Sequence, residues 1–433
     1  MKPSDELVEL IGPYLSRQRW AVRGDTDLAP VEILDHEAIL DSTPALLWLL
    51  VGAAGSTYQL LVGLRPEAEQ VPAGERDILG TVSGPDGPLV AYDALIDPEL
   101  SRLLASRVVE GGLPEDAHVR SVGAEQSNSS IVFDERVIVK FYRRLQRGVN
   151  PDVEVATGLD RVGFNHLASP LGVWHRDEYD LAVAQEFLAG GTEGWALALT
   201  SLRDLYACDD DDPAAAGGDF GAESRRLGEM TAKLHLALAE AFGTSPADTG
   251  EWLAEIEPRL AGLEAGDLAR ARALAGRVTG LDSPGPSIRV HGDYHLGQVM
   301  RTETGWFVLD FEGEPARPLE TRRRPWPALK DVAGMLRSFG YAAAVALADR
   351  GEATPELAER GRSWERHNRG LFLDGYLATP GVEDLVPQGE AFDAVLAFFE
   401  LDKALYELGY ERAHRPEWTR IPLAAIDRLL TGG

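Results

Sequence analysis

Near residue 190 the pattern of apolar residues changes from strand-like to helical, and this change limits the folds that the chain can adopt. Before that point, short strand-like apolar runs alternate with turns that contain Gly and Pro. After it, apolar residues recur at helical spacing over long stretches, as with Leu227, Leu234 and Leu238 within 222–242. The sequence therefore predicts an α+β protein with a mostly helical C-terminal part.

Three regions are predicted along the 433 residues. Residues 1–92 form an α+β region that begins with a helix over 4–17 and has Ser4 as a candidate N-cap. The Gly- and Pro-rich stretch 81–92 is expected to join it to a second region of mixed structure, 93–190. Residues 191–433 form the helical region.

The charge of the chain restricts its partners. It has 42 Lys and Arg against 70 Asp and Glu, a net charge of −28. So acidic a surface repels polyanions, which argues against nucleic acid and anionic membranes as partners. The apolar stretch 44–54 is too short to span a bilayer, and 1–9 lacks a secretory signal pattern, so a cytoplasmic location is expected.

The segment 291–312 contains the strongest chemical signal. Residues 302–305 are predicted to form a turn, so that 299–301 and 306–309 pair as a hairpin. That hairpin would bring Gln298 beside Asp310, with Asp293 in the preceding loop. Amide and carboxylate oxygens are ligands that Mg²⁺ prefers. Any one of these residues alone fits a solvated turn better, whereas the three together favour a magnesium site.

His291 and His295 lie in the same segment at positions i and i+4. This spacing resembles a zinc motif, but Gly292 argues against a helix there, and no third soft ligand is near in sequence. Both histidines are expected to bond backbone carbonyls, and His295 is also retained as a candidate contact to the substrate.

A second hairpin carries a lysine among apolar residues. Strand 129–133, the turn Asp134-Glu135 and strand 136–142 place Lys140 on the return strand. A helix beginning at Asn150-Pro151 would carry Glu154, which we expect to pair with Lys140. A strand lysine held by a helix glutamate positions ATP phosphates in kinases.

Two further segments are candidates for nucleotide binding. The turn formed by Ser127, Asn128, Ser129 and Ser130 could cover phosphates with amides and hydroxyls. An extended linker of Gln185, Glu186, Phe187 and Leu188 follows the strand at 181–185. The order of these features is that of a two-lobed kinase, and no G-x-G-x-x-G or Walker motif is present.

Five segments carry a family resemblance that covers roughly residues 120–430. They are His291-Gly292-Asp293-Tyr294-His295-Leu296-Gly297-Gln298, Asp310-Phe311-Glu312-Gly313-Glu314-Pro315, 331–339, 191–195 and 399–407. The resemblance is to aminoglycoside-phosphotransferase-like kinases and, more narrowly, to maltokinases, which make maltose 1-phosphate from maltose and ATP. It implies a bilobal protein-kinase-like fold with an N-terminal cap at 1–92, to which a partner enzyme of the same pathway could bind.

The resemblance also implies residue roles. Asp293 would orient or deprotonate the attacking sugar hydroxyl, while Gln298 and Asp310 would hold Mg²⁺ with help from Glu312. Lys140, held by Glu154, would contact the phosphates of ATP. The linker 185–188 would be the hinge that meets adenine.

The acceptor pocket is expected in the helical region. Candidate acceptor contacts there are Glu400, Lys403, Tyr406, Glu407 and Trp418, although the two aromatic residues could equally be core residues. Maltose is the leading acceptor. An amino sugar such as glucosamine, or an aminoglycoside, is the alternative and would be favoured by unpaired carboxylates in the pocket. A non-catalytic nucleotide-binding pseudokinase is a third possibility.

Overall fold

The computed structural model describes residues 2–21, 30–71, 74–122, 128–208, 212–214, 218–314, 317–351 and 354–432. It divides into two compact units. The N-terminal unit comprises Met1–Glu154 and Ala168–Ala189, and the C-terminal unit comprises Val155–Leu167 and Gly190–Gly433. The change in sequence character near residue 190 thus falls at a unit boundary, while the division expected after residue 92 lies inside the N-terminal unit.

The N-terminal unit contains two antiparallel sheets with a helix near its start. One sheet has the order β1-β2-β3-β5-β4, with β9 also paired to β3, and the other has the order β10-β11-β8-β7-β6. The elements are α1 (Asp5–Ser16), β1 (Glu32–Leu40), β2 (Ala45–Ala53), β3 (Ser56–Pro66), β4 (Ile78–Gly84), β5 (Gly87–Asp93), α2 (Pro98–Ala105), β6 (Val119–Ser121), β7 (Asn128–Phe133), β8 (Val137–Tyr142), β9 (Arg144–Leu145), α3 (Pro151–Arg161), β10 (Pro170–Arg176) and β11 (Tyr179–Glu186).

The stretch 81–92 is not the linker that the sequence suggested. Strands β4 and β5 pair across it as a hairpin, so the prediction was wrong. Its Gly and Pro residues serve the hairpin turn, where Gly87 has a φ of +135°, a conformation that favours glycine. The predicted helix at the N-terminus is confirmed, and the amide of Leu7 donates to the hydroxyl of Ser4 over 3.2 Å.

Strand β2 is buried on both faces. Leu47, Leu49 and Val51 pack in one apolar cluster with residues of α1, including Ile11. The alternate residues, among them Trp48, pack in a second cluster with residues of β8 and β11. Because side chains alternate between the two faces of a strand, a strand between two cores reads as a continuous apolar run.

A buried ion pair lies in the same unit. The guanidinium of Arg143 donates to the carboxylate of Asp93, which also accepts from the hydroxyl of Tyr14 at 3.0 Å. Arg143 also donates to Ser129 Oγ at 2.8 Å, and both charged side chains are almost fully buried. Breaking such a pair leaves an uncompensated charge away from water, which is strongly destabilising.

We therefore expect Asp93→Ala to lower the free energy of unfolding by about 3–5 kcal/mol, because Arg143 loses its buried counter-ion. Urea denaturation followed by circular dichroism measures this loss. The matched control is Glu135→Ala, which breaks the exposed Arg120–Glu135 pair and should change stability little. Equal losses in the two variants would contradict the assignment.

The C-terminal unit is mainly helical, with two small three-stranded sheets of order β12-β15-β16 and β13-β14-β17. Its elements after the end of α3 are β12 (Thr192–Glu193), α4 (Gly194–Ala207), α5 (Gly221–Phe242), β13 (Thr244–Pro246), α6 (Thr249–Leu260), α7 (Ala265–Ala275), β14 (Pro286–Ile288), β15 (Val299–Thr302), β16 (Gly305–Val308), α8 (Leu319–Arg322), β17 (Trp326–Pro327), α9 (Leu329–Asp349), α10 (Pro355–Leu377), α11 (Glu390–His414) and α12 (Arg420–Thr431).

Helix α9 is the central element of this unit, since most of its residues are buried. It packs closely on the loop that precedes β15. A Cβ atom at Gly334 would lie 2.6 Å from the carbonyl oxygen of Tyr294, so only glycine allows this approach. Helix α9 thereby fixes the position of the loop that carries Asp293.

None of the helices in the described ranges is both long enough and apolar enough to cross a membrane.

Candidate functional site

The hairpin predicted in 291–312 is confirmed. Strands β15 and β16 pair with Val299 opposite Val308, and this register brings the flanking residues together. The side-chain nitrogen of Gln298 lies 3.4 Å from Oδ2 of Asp310. Asp310 has a φ of +58°, an uncommon conformation for a residue other than glycine and one that is frequent at functional sites.

The loop before the hairpin is held by Asp331, in the first turn of α9. Its buried carboxylate accepts the backbone N–H groups of His291 at 2.7 Å and Gly292 at 2.9 Å, and it contacts Nε2 of His235 at 3.3 Å. Burial opposes the charge, but His235, His291 and the Gly292 amide outweigh it and lower the pKa of Asp331. Asp331 belongs to the family motif 331–339, and its pattern in the sequence did not indicate this role.

His291 is a structural residue, as expected. Its Nε2 donates to the carbonyl oxygen of Leu309 at 2.9 Å, which leaves Nδ1 to accept the N–H of Asp293 at 3.4 Å. The ring therefore ties the loop to the end of β16. His295 instead accepts the N–H of Gly297 with Nδ1, at 3.0 Å, so the backbone carbonyl expected as its partner is not the contact that this nitrogen makes.

Asp293 forms an ion pair that the sequence did not suggest. Lys403 of α11 places Nζ 2.9 Å from Oδ1 of Asp293, while Nε2 of His295 lies 3.9 Å from Oδ2. Burial disfavours the Asp293 carboxylate, but the ammonium of Lys403, with smaller effects from His295 and His291, outweighs burial and holds the pKa of Asp293 well below the usual range. The low pKa favours the ionised form of Asp293.

Lys403 also approaches a second carboxylate. Its Nζ lies 3.6 Å from Oε1 of Glu314, a buried residue that is ion-paired with Arg317 as well. Nζ further lies 5.0 Å from the ring centroid of Tyr406. Of the predicted acceptor contacts, Lys403 thus pairs with Asp293, and Tyr406 lies beside Lys403. Glu314 was missed as a site residue, although it occurs in the motif that begins at Asp310.

The other predicted acceptor contacts have partners elsewhere in the C-terminal unit. Glu400 accepts from Arg369 at 2.6 Å and Glu407 from Arg337 at 2.6 Å. Trp418 follows α11 in a 3₁₀ turn and stacks on Tyr341, with ring centroids 6.2 Å apart. Contact of these three residues with a substrate stays a prediction.

The metal assignment rests on few side chains. Gln298 and Asp310 are adjacent, and Glu312 is buried, with its carbonyl oxygen accepting from Arg322 at 2.8 Å. Across the described residues, no group of three or more His, Cys, Asp or Glu side chains is arranged to hold a metal ion. An amide oxygen with one carboxylate still fits Mg²⁺, which takes few protein ligands beside waters and phosphates.

In the N-terminal unit, the hairpin around Lys140 is confirmed, with positive φ angles at Asp134 and Glu135. The helix predicted at Asn150 is also confirmed as α3, whose Asp152 amide donates to Asn150 Oδ1 at 2.9 Å.

The ion pair of Lys140 differs from the one expected. Its Nζ lies 3.4 Å from Oδ2 of Asp152, which is almost fully buried, whereas Glu154 was the predicted partner. The helix begins one residue before Asp152, so the first turn of α3 brings this carboxylate to β8. Pairing of Lys140 with Glu154 stays a prediction.

The predicted phosphate turn is largely a strand. Asn128, Ser129 and Ser130 belong to β7, so their assignment to a turn was wrong, and Ser127 lies outside the described residues. Ser129 accepts from Arg143, whereas Ser130 is directly opposite Lys140 in the register of β7 and β8. Ser130 is therefore the best placed of the three to share a ligand with Lys140.

The predicted hinge begins inside β11. Gln185 and Glu186 end that strand and pair with β8, and the amide of Phe187 donates to the carbonyl oxygen of Arg136 at 2.8 Å. Arg120 places its guanidinium 5.5 Å from the Phe187 ring centroid. Leu188 follows, one residue before the unit ends.

A strand lysine, an anchored aspartate loop and a Gln–Asp hairpin follow one another along the chain, which is the order found in kinases of protein-kinase-like fold. The family profile described as "Phosphotransferase enzyme family" (APH) matches residues 118–366, and that described as "Maltokinase N-terminal cap domain" matches 14–97. The chain belongs to this maltokinase-like branch of the aminoglycoside-phosphotransferase-like kinases. It is a phosphotransferase with an alcohol group as acceptor.

Curated relatives of the chain include two glucosamine kinases. That of Mycolicibacterium smegmatis is 30% identical over 331 residues, which cover 72% of this chain and 80% of the relative. That of Streptacidiphilus jiangxiensis is 28% identical over 375 residues, 77% of this chain and 81% of the relative. A solved glucosamine kinase in complex with glucosamine, ADP and inorganic phosphate has a TM-score of 0.65 at 22% identity, covering 99% of this chain and 100% of that one.

The Lys403–Asp293 ion pair should determine the pKa of Asp293, which can be tested by removing the lysine charge. Removing the ammonium in Lys403→Met should raise the pKa of Asp293, because the charge that favours the carboxylate is lost. Carbon-13 NMR of Asp-labelled protein measures this, with the Asp293 signal assigned from its loss in Asp293→Asn. The signal should begin to titrate at higher pH than in the unaltered protein.

The control for this shift is Lys233→Met, which removes an exposed lysine of α5. An unchanged Asp293 titration in Lys403→Met, or an equal change in both variants, would contradict the ion pair.

Proposed function

We propose that this protein is an Mg²⁺-dependent kinase that transfers the γ-phosphoryl group of ATP to a hydroxyl of an amino sugar, with glucosamine as the first candidate. The observation that carries the proposal is the Asp293 carboxylate, held ionised by Lys403 and fixed by a loop that Asp331 anchors. Phosphoryl transfer depends mainly on positioning and on neutralising charge, and this arrangement supplies a fixed acceptor for a hydroxyl proton.

In the reaction, the acceptor hydroxyl donates a hydrogen bond to Asp293 and its oxygen attacks the γ-phosphorus. The bond from that phosphorus to the bridging oxygen of ADP breaks, and the hydroxyl proton passes to Asp293. Because the low pKa makes Asp293 a weak base, its main contribution is to orient the hydroxyl. Gln298 and Asp310 would hold Mg²⁺, which when bound neutralises phosphate charge.

For the nucleotide, the proposal assigns Lys140 to the ATP phosphates. Asp152 orients its ammonium, since the two side chains form an ion pair with little exposure to solvent. Ser130, across the strand pair from Lys140, is a second candidate contact to the phosphates. The assignment of 185–188 to adenine rests on the family resemblance and on the position of this segment after β11.

The amino-sugar acceptor is supported by similarity. Asp293 and Glu314 lie beside the reacting position and are both paired with the ammonium group of Lys403, so an amino group of the acceptor would have to share them. Both curated relatives reported above are glucosamine kinases, and they match more than two thirds of this chain.

Maltose is the second candidate, and the observation that favours it is the maltokinase cap profile over 14–97. Lys403 also fits a neutral sugar, since it neutralises the carboxylates that an amine would use. A partner enzyme bound through the cap stays part of this second proposal.

A panel of acceptors separates the candidates. Glucosamine, N-acetylglucosamine, glucose, maltose and an aminoglycoside are each assayed for ADP release, and phosphorus NMR identifies any product. We expect glucosamine to give kcat/KM at least about tenfold above glucose and N-acetylglucosamine, because only its amino group carries a charge that carboxylates can pair. A preference for maltose would replace the amino-sugar assignment with the second candidate, and ADP release with none of the five would contradict both.

The catalytic assignment is tested separately. Asp293→Ala should lower kcat by about 10²–10⁴, because the acceptor hydroxyl loses both the group that orients it and the group that takes its proton. Asp267→Ala, which removes an exposed carboxylate of α7, is the matched control and should keep the activity. If Asp293→Ala retained most of the turnover while its circular dichroism spectrum was native, another residue would have to orient the hydroxyl.

A further inference from the structure

Helices α9, α10, α11 and α12 line a cavity of about 230 Å³ in the C-terminal unit. Asp293, Gln298 and Asp310 are not among its lining residues, whereas Glu400, a predicted acceptor contact, is one of them. Five of the residues that line it are arginines: Arg337, Arg362, Arg366, Arg369 and Arg428. Guanidinium groups are planar, always charged and matched in shape to the oxygens of phosphates and carboxylates. So dense a cationic lining is unusual in a chain of net charge −28.

The carboxylates around this cavity do not balance its arginines. Among the described residues, Glu365 and Glu400 line it beside the five guanidinium groups. Outside the lining, Glu359 pairs with both Arg362 and Arg366, at 2.7 and 2.8 Å, and Glu407 pairs with Arg337, so four carboxylates face five guanidinium groups. Crowded like charges repel one another, so an added anion would stabilise the cavity.

Arg337 provides a second and independent observation. Its side chain is only 4% exposed and pairs with Glu407 through Nη2. Its buried Nε has no hydrogen-bond partner in the part of the chain that the structure describes. A buried donor without an acceptor costs free energy, and an oxygen of a bound anion would satisfy it.

A neighbouring cavity of about 240 Å³ shares Arg337 and Arg428 with the first. It adds Arg420 and is otherwise lined by small and apolar residues, including Leu347 and Ile421. The two cavities together offer a strongly cationic part and an adjoining, less polar part. This combination suits a molecule that carries a phosphoryl group on an organic body.

We propose that the arginine cavity between α9, α10, α11 and α12 binds the phosphoryl group of a phosphate monoester. The guanidinium groups of Arg337, Arg369 and Arg428 would contact the phosphoryl oxygens. The organic part of the ester would extend toward Ile421 in the neighbouring cavity. A phosphoryl group can come from an ester or from free phosphate, and the test distinguishes these two sources.

Isothermal titration calorimetry tests the site directly. Glucose 6-phosphate and inorganic phosphate are titrated at matched ionic strength into the full chain with saturating Mg²⁺ and ADP, so that nucleotide sites are filled. The variant Arg362→Gln/Arg428→Gln removes two charges from partly exposed positions in the cavity. The control Arg225→Gln/Arg226→Gln removes two charges from similarly exposed positions on α5.

We expect Kd for the ester to rise at least about tenfold in the cavity variant and to stay within about twofold in the control. Tighter binding of the ester than of phosphate shows that the organic part contributes, whereas equal affinity identifies free phosphate as a sufficient ligand. No binding to the unaltered protein, or equal weakening in both double variants, would overturn the proposal. Because this readout needs no turnover, it is independent of whether the proposed kinase reaction is correct.

Discussion

The buried carboxylate of Asp331 is the contact on which the geometry of the site depends. It accepts two consecutive backbone N–H groups, at His291 and Gly292, and so fixes the direction of the chain just before Asp293. The energetic reason is that a backbone N–H withdrawn from water needs an acceptor within the protein, and Asp331 supplies one to each of the two residues. Helix α9 carries Asp331 and also contacts the loop through Gly334, so one rigid element positions the loop at two points.

Electrostatic compensation in this acidic chain is local. Lys403 neutralises Asp293 and Glu314 within one small region, and Asp152 does the same for Lys140 in the other unit. Each of these charges is buried enough that an unpaired neighbour would be costly. The net charge of −28 therefore says little about the site itself, where the sign of the potential follows from a few paired side chains.

Features that depend on nearby residues were predictable from the sequence. The hairpin at β15 and β16, the Gln298–Asp310 approach and the start of α3 follow from turns, strand register and capping. The Lys403–Asp293 pair was not predictable, because 110 positions separate the two residues and only helix packing brings them together. Likewise the pairing of Lys140 with Asp152 was not predicted, since the exact start of a helix decides which of its carboxylates face a strand.

The burial of β2 on both faces has a consequence for how the first ninety residues can be treated. Trp48 belongs to the same apolar cluster as Phe141 and Ala182, while Leu47 belongs to the cluster that α1 closes. Deleting the segment before β6 would remove one side of the apolar core that supports the Lys140 strand. The apolar residues that remain in this core would then be exposed to water. The N-terminal segment is therefore an integral structural component, and a kinase without it would be expected to aggregate instead of folding as a smaller enzyme.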